Sequence, residues 1–304
     1  IGPPPSLGDI SKRAPTARPR RSVLYMPGSN ARALEKAKSI PADALILDLE
    51  DAVSPDAKAQ AREQVCKAIA DGGYGKREMI IRINGLDTPW GADDMDAVSK
   101  AGPDAILVPK INDAATVEKL VEAMDEAGAP AATALWCMME TPIGILNAKE
   151  IAAASSRVAV WVMGTNDIAK DTGAQHTADR LPMITSLGLC MLAARAYGIQ
   201  ILDGVYNDIK DEEGFRAICR QGLELGFDGK TLIHPSQVGP CNEVFSPTEA
   251  QLESAARIVA GFEEAQREGK GVVTVDGRMI ENLHVEQAKK QLAMAEAIKE
   301  LQAA

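Results

Sequence analysis

At 304 residues, with 46% hydrophobic and 25% charged residues, the chain is long for one ordinary domain and suits a single α/β barrel with an appendage. Its net charge of −10 gives no general attraction to DNA, RNA or anionic lipid, and 4% aromatics argue against a base-stacking surface. No apolar run reaches the ~18–20 residues of a membrane span. Five cysteines without CxxC spacing indicate neither a zinc site nor a disulfide framework. Their odd number and the lack of a secretory signal point to a reducing cytoplasm, so neither nucleic acid nor membrane is an expected partner.

In chain order, residues 1–20 carry Pro3-Pro-Pro5 and a basic stretch around Arg18 and Arg20, lack periodicity, and read as a flexible arm, more often solvated than phosphate-binding. From residue 21, short β-branched runs alternate with helical patterns. Strands are expected over 22–26, 44–48, 79–83 and 105–109, then in runs ending at Glu140 and Asp167, then over 199–203 and 230–234. Helices are expected between them, including 54–70, 113–127, 181–197 and 212–225. About eight such units is the count of a (β/α)8 TIM barrel, placed here at residues 21–245. A doubly wound sheet would stop near five or six strands and carry a GxGxxG turn after the first, which this sequence lacks. Residues 246–304 read as an amphipathic helix over 248–268, a short β-like segment and a last helix. That stretch is too small to hold its own core, so it is expected as a helical lid extension packed on the barrel or on a neighbouring subunit.

The chain is organised around Trp136-Cys-Met-Met-Glu140 and Trp161-Val-Met-Gly-Thr-Asn-Asp167. Each apolar run ends in an acid at the tip of a buried strand, the rim where barrel active sites are built, and paired oxygen ligands there suit Mg2+. Either acid alone is equally compatible with a helix cap or a first-turn position. Asp48, Glu50 and Asp51 cluster beyond the second strand, either positioning a metal or an arginine, or capping the next helix. Arg82 interrupts an apolar strand, so it must point into the barrel mouth to grip a carboxylate, to pair with Asp48 or Glu50, or to do both. Lys110 at a strand end is a Schiff-base candidate, though pairing with a rim acid fits better, and His234 and His284 read as hydrogen-bonded fillers. The backbone amides of Gly164, Thr165, Asn166 and Asp167 could bind an anionic substrate oxygen. Pro27 and Gly28 before a helix, with Arg32 and Lys36 on it and Arg21 before the first strand, are candidate phosphate contacts.

Together these residues resemble a known family. Tyr25-Met-Pro-Gly-Ser-Asn30, Leu47-Asp-Leu-Glu-Asp-Ala-Val53, Ile81-Arg-Ile-Asn-Gly-Leu-Asp87, Val108-Pro-Lys110, Met139-Glu-Thr-Pro142, Met163-Gly-Thr-Asn-Asp167 and Gly229-Lys-Thr-Leu-Ile-His-Pro235 are similar to motifs of the citrate lyase β-subunit-like family. They run in family order over about residues 21–285. The resemblance implies a Mg2+-dependent TIM barrel, trimeric or hexameric, acting on an acyl-CoA thioester and a 2-oxo acid. It implies Mg2+ on Glu140 and Asp167, the oxo-acid carboxylate on Arg82, and Asp48, Glu50 and Asp51 lining the site. It further implies a C-terminal lid exchanged between subunits, whose catalytic aspartate is matched here by Glu281.

The expected reaction is carbon–carbon cleavage of a malyl-CoA or citramalyl-CoA type thioester, with hydrolysis of (3S)-malyl-CoA close behind because Glu281 replaces the family aspartate. A citrate lyase β subunit working inside a complex is a further alternative. A non-catalytic acyl-CoA-binding subunit fits less well, because an acid-rich rim repels coenzyme A phosphates.

Overall fold

The computed structural model describes residues 18–304, so the expected arm falls outside the described residues as far as residue 17. The described residues form two compact units, 20–245, and 246–304 with Arg18 and Pro19.

The first unit is a closed barrel of eight parallel strands in sequential order. Its elements are β1 (Ser22–Pro27), α1 (Ala31–Lys36), β2 (Ala44–Asp48), α2 (Lys58–Asp71), β3 (Glu78–Arg82), α3 (Gly91–Ala101), β4 (Ala105–Val108), α4 (Ala114–Glu126), β5 (Ala134–Met139), the short α5 (Pro142–Leu146) and α6 (Ala148–Ala153), β6 (Val158–Met163), α7 (Thr165–Thr172), α8 (Ile184–Ala196), β7 (Gln200–Asp203), α9 (Glu212–Leu225), β8 (Gly229–Leu232) and α10 (Val238–Phe245). The ring closes where β8 pairs with β1, Leu232 opposite Leu24.

The strands are buried on both faces, which is why they read as continuous apolar runs rather than alternating ones. Alternation is still present underneath. Val23, Ile46, Ile80, Leu107, Trp136 and Val160 fill the barrel interior, while their neighbours Leu24, Leu45, Leu47, Ile81 and Ile106 pack outward under the helices. Asn30, Asp113, Thr141 and Asp211 each cap the helix that follows by accepting from a backbone N–H. These caps fix how the chain leaves the C-terminal mouth of the barrel.

The opposite end is closed by two arginines. Arg20 makes a paired hydrogen bond to Glu78, Nε–Oε1 2.7 Å and Nη2–Oε2 2.8 Å, and its guanidinium lies 5.5 Å from the Trp136 ring. Arg21 is bound the same way to Asp43, with Nε–Oδ2 and Nη2–Oδ1 both 2.8 Å. Glu78 begins β3 and Asp43 directly precedes β2, so both pairs sit at strand starts. This corrects two expectations. Arg20 is a barrel residue rather than part of an arm, and Arg21 is buried at the end remote from the mouth, where it cannot meet a ligand bound there. A basic run reads as solvated unless its partners, 22 and 58 residues away, are known.

In the second unit, α11 (Glu249–Arg267) starts at a capping box of Thr248 and Gln251. A two-stranded antiparallel hairpin follows, β9 (Val273–Val275) and β10 (Arg278–Ile280), turning at Asp276 and Gly277. Both turn residues have positive φ, 50° and 78°, which an Asp-Gly pair accommodates at low steric cost. The unit ends in α12 (Asn282–Gln302). Among the described residues no helix is long and apolar enough to cross a membrane.

Candidate active site

Strand register builds the mouth. Asp48 and Arg82 are paired residues at the tips of β2 and β3. Their side chains form a two-point bond, Nε–Oδ1 2.7 Å and Nη2–Oδ2 2.8 Å. Asp48 also accepts from the backbone N–H groups of Glu50 (2.9 Å) and Ala52 (3.0 Å). Burial alone would raise its carboxyl, but Arg82 and these amides bring it below the usual carboxylate range. With both oxygens committed, Asp48 has no lone pair to offer a metal and no tendency to take a proton. In the structure Asp48, expected to line the site, is bound to Arg82 and holds its guanidinium in place.

Arg82 has five N–H donors, of which Asp48 takes two along one side. Glu50 lies 3.3 Å from Nη1. The end-on edge formed by Nη1 and Nη2 has the shape that binds a carboxylate with two parallel hydrogen bonds. Tyr25 stacks on the same guanidinium, its ring centroid 4.8 Å from Cζ. The Glu50 carboxyl is pushed up to about 7 by burial, against the pull of Arg82 and with further help from Asp51 and Asp48. Asp51 itself is exposed on the turn.

Across the mouth, Glu140 lies just beyond β5 and is buried. One oxygen accepts from the backbone N–H of Lys110 at 2.9 Å. Lys110 holds φ at 53°, a left-handed conformation uncommon for a lysine, and such strain clusters at functional sites. Here the Lys110 amide, rather than its ammonium, meets the rim acid. The carboxyl of Asp167 is within hydrogen-bonding reach of Glu140. Burial, then Asp167, pushes Glu140 up to about 8.

Asp167 is not at a strand tip as its sequence run suggested. β6 ends at Met163 and Asp167 is the third residue of α7. The chain turns at Gly164, where a Cβ would overlap the Cβ of Glu140 and lie 2.5 Å from its Oε2. Only glycine lets the two acids approach. Gly164→Ala is expected to push Glu140 out of place, reducing turnover about a hundredfold and destabilising the fold by roughly 1–3 kcal/mol, as read from initial rates and urea unfolding.

The first-turn N–H groups of Thr165, Asn166 and Asp167 have no acceptor within their own helix. Thr165 is buried against Gly204, and the Asn166 amide exchanges hydrogen bonds of 3.0 and 2.8 Å with Asn207. The side chain of Asn166 is thus held by Asn207. At the start of α1, Gly28 packs where a Cβ would meet the Asp48 carbonyl at 2.5 Å, while Arg32 and Lys36 are exposed one turn apart. Glu281 precedes α12 in the second unit, where its backbone N–H donates to His284 Nδ1 at 2.9 Å.

The props beneath these groups carry no local signature in the chain. Lys58 is buried and its ammonium donates to the carbonyls of Leu49 and Glu50, both 3.0 Å, and to Asn84 Oδ1 at 2.8 Å. Asn84 in turn holds Asp94. A lysine in an amphipathic helix looks solvated by pattern, so no local signal marks it. Among the described residues no group of three or more Asp, Glu, His or Cys side chains closes on a point that could hold a metal. Glu140 and Asp167 stand as a pair of acids side by side. A buried acid whose proton affinity is raised by burial and by a second acid beside it fits a hard cation that keeps open positions for water and ligand oxygens.

Fold and mouth together define a class first: a (β/α)8-barrel enzyme whose active end presents acids beside one anchored guanidinium. Residues 21–235 match the HpcH/HpaI aldolase/citrate lyase family, and the chain belongs to it. It is 53% identical over 282 residues to a (3S)-malyl-CoA thioesterase of Cereibacter sphaeroides, covering 93% of this chain and 96% of that one. It is 37% identical to an L-malyl-CoA/beta-methylmalyl-CoA lyase of the same species, covering 94% and 97%. Among solved structures it is similar to CitE from Mycobacterium tuberculosis in complex with magnesium, acetoacetate and coenzyme A. That match has a TM-score of 0.74 at 28% identity and covers 92% of this chain and all of the other.

Proposed function

We propose that this chain hydrolyses a (3S)-malyl-CoA-like thioester, giving malate and free coenzyme A, in a site that holds Mg2+ on Glu140 and Asp167. The observation that carries the reading is the pairing of these two acids opposite the Arg82 fork, in a chain 53% identical to a thioesterase of that name. The sequence reading put carbon–carbon cleavage first. The greater likeness to the thioesterase than to the lyase, 53% against 37%, reverses that order. The M. tuberculosis structure with magnesium and coenzyme A supports the choice of ion and carrier.

Mg2+ bound there would supply Lewis-acid polarisation of the substrate oxygens. The protein's own groups do the rest. Arg82 grips the free carboxylate end-on, held rigid by Asp48. The first-turn amides of Thr165, Asn166 and Asp167 orient the same acid end at a helix N-terminus. Glu50, with its carboxyl near 7, is suited to take a proton from the attacking water and return it to the departing thiolate. Arg32 and Lys36, exposed on α1, are the cations proposed to meet the phosphates of coenzyme A.

The same pocket suits carbon–carbon cleavage, with Glu281 exchanging the proton. In a homotrimer or homohexamer that residue would come from a neighbouring copy. The exposed Leu146, Leu181 and Leu192, 71–74% accessible, support such an assembly.

Incubating the protein with Mg2+ and malyl-CoA is expected to release free thiol and malate without glyoxylate. Glyoxylate and acetyl-CoA in equal amounts would overturn hydrolysis in favour of cleavage. No product of either kind would overturn the substrate class.

A further inference from the structure

Asp203 ends β7 and is paired in register with Lys230 on β8. Strand alternation turns both side chains outward, the side of Ile201 and Leu232, so they lie between the barrel wall and its helices and not in the mouth. Both are fully buried, with Lys230 Nζ 3.3 Å from Asp203 Oδ2. A third charge enters from the chain that follows α7. Arg180 donates from Nη1 to Asp203 Oδ1 at 2.8 Å and from Nε to Gln221 on α9 at 2.8 Å. Helix α9 passes close over the carboxylate at Gly222, where a Cβ would lie 2.8 Å from Oδ2.

The proposed reaction uses none of these three charges, and stability is a weak reason to bury them, since hydrocarbon of the same volume commonly serves as well. Arg180 shows the cost. Its φ of 52° is left-handed, and among the described residues its buried Nη2 has no hydrogen-bond partner. What the triad fixes is Gly204. The Gly204 N–H donates to Asp203 Oδ1 at 2.8 Å, and its carbonyl accepts from Lys230 Nζ at 2.5 Å. Gly204 in turn lies against the first residue of α7: a Cβ there would meet Thr165 Oγ1 at 2.7 Å and the Met163 carbonyl at 2.9 Å. One carboxylate therefore ties α7 on both sides, at its start through Gly204 and past its end through Arg180.

We propose that Asp203 is a positioning residue for Asp167: with Arg180 and Lys230 it sets where α7 starts, and so how the first turn of that helix faces Glu140. This rests on the Mg2+ site proposed above. Asp167 stands on that turn, two residues after Thr165, in a helix of eight residues. Helices this short depend on tertiary contacts for their order. A cation held between two acids is sensitive to their spacing, and groups that orient metal ligands from behind typically govern affinity by about 10–100-fold.

Asp203→Asn leaves two buried cations without a counter-charge and endangers the fold. The test therefore uses Arg180→Met and Gly204→Ala, each of which disturbs one tie. Calorimetric Mg2+ affinity is expected to fall about tenfold in each, and Arg180→Lys, which keeps a cation for Asp203, to regain most of it. Hydrogen exchange of the metal-free variants is expected to quicken about tenfold or more over Thr165–Thr172, with Ala114–Glu126 on α4 unchanged. Wild-type Mg2+ affinity in either variant would overturn the assignment, whatever the melting temperature does. Exchange that quickens equally over both segments, or over neither, would overturn it as well. If wild type itself binds no Mg2+, the proposed metal site fails, and the exchange rates still decide whether the triad anchors α7.

Discussion

Replacing Asp167 with alanine is expected to cut turnover by about a thousandfold or more and to leave the fold intact. Glu140→Ala should do the same. The size follows from what the pair is proposed to do: holding a cation that stabilises developing oxygen charge is worth several kcal/mol, and either acid alone is a poor ligand. The direction of the stability change separates this account from a purely structural one. Burying Glu140 next to Asp167 raises its carboxyl to about 8. A carboxyl raised in the folded state costs stability as pH rises above its ordinary value of 4.5, and the cost grows until the folded value is passed. Removing Asp167 relieves that repulsion. The metal-free Asp167→Ala protein should therefore melt at or above the wild-type temperature at pH 8, while losing activity. A lower melting temperature would mean that the pair holds the barrel together and serves no cation.

Arg82 is the second site of large effect, and here stability and function fall together. Arg82→Ala leaves the Asp48 carboxylate buried with only two backbone donors. Breaking a buried pair from one side is expected to cost about 3–5 kcal/mol, measured by urea unfolding. Arg82→Lys separates the roles. An ammonium keeps the charge beside Asp48 and restores much of the stability, but it has no fork. KM for malyl-CoA is expected to rise about 10–100-fold in Arg82→Lys with a smaller change in kcat. A lysine variant with wild-type KM would remove Arg82 from the substrate.

Much of this mouth could be read from the chain because its parts are local. An arginine inside Met79-Ile-Ile-Arg-Ile83 has no apolar explanation, and an acid closing the run at Glu140 marks a strand end by itself. The barrel followed from counting such runs, since each strand is buried on both faces and stands out. What could not be read depends on contacts distant in sequence. Asp48 and Glu50 were both open as partners for Arg82, and only strand register selects Asp48 for the two-point bond. Arg21 looked like a phosphate contact until Asp43 was seen to hold it. Asp167 was displaced from strand tip to helix because Gly164 ends β6 early, and periodicity cannot tell a glycine that turns the chain from one that extends it. Tyr25 was legible only as a letter in a motif; its reach across the barrel to Met138 is a tertiary fact.

The central claim is that a divalent cation replaces a shared proton between Glu140 and Asp167, and calorimetric titration with Mg2+ in buffers of different ionisation enthalpy tests it most directly. With the Glu140 carboxyl near 8, the cation-free protein carries that proton at pH 7. Binding must expel it, so about one proton per Mg2+ is expected at pH 7, with affinity rising about tenfold per pH unit up to pH 8 and levelling beyond. Glu140→Gln should abolish both the binding and the proton release. Binding that is independent of pH, or that persists in Glu140→Gln, would contradict the account.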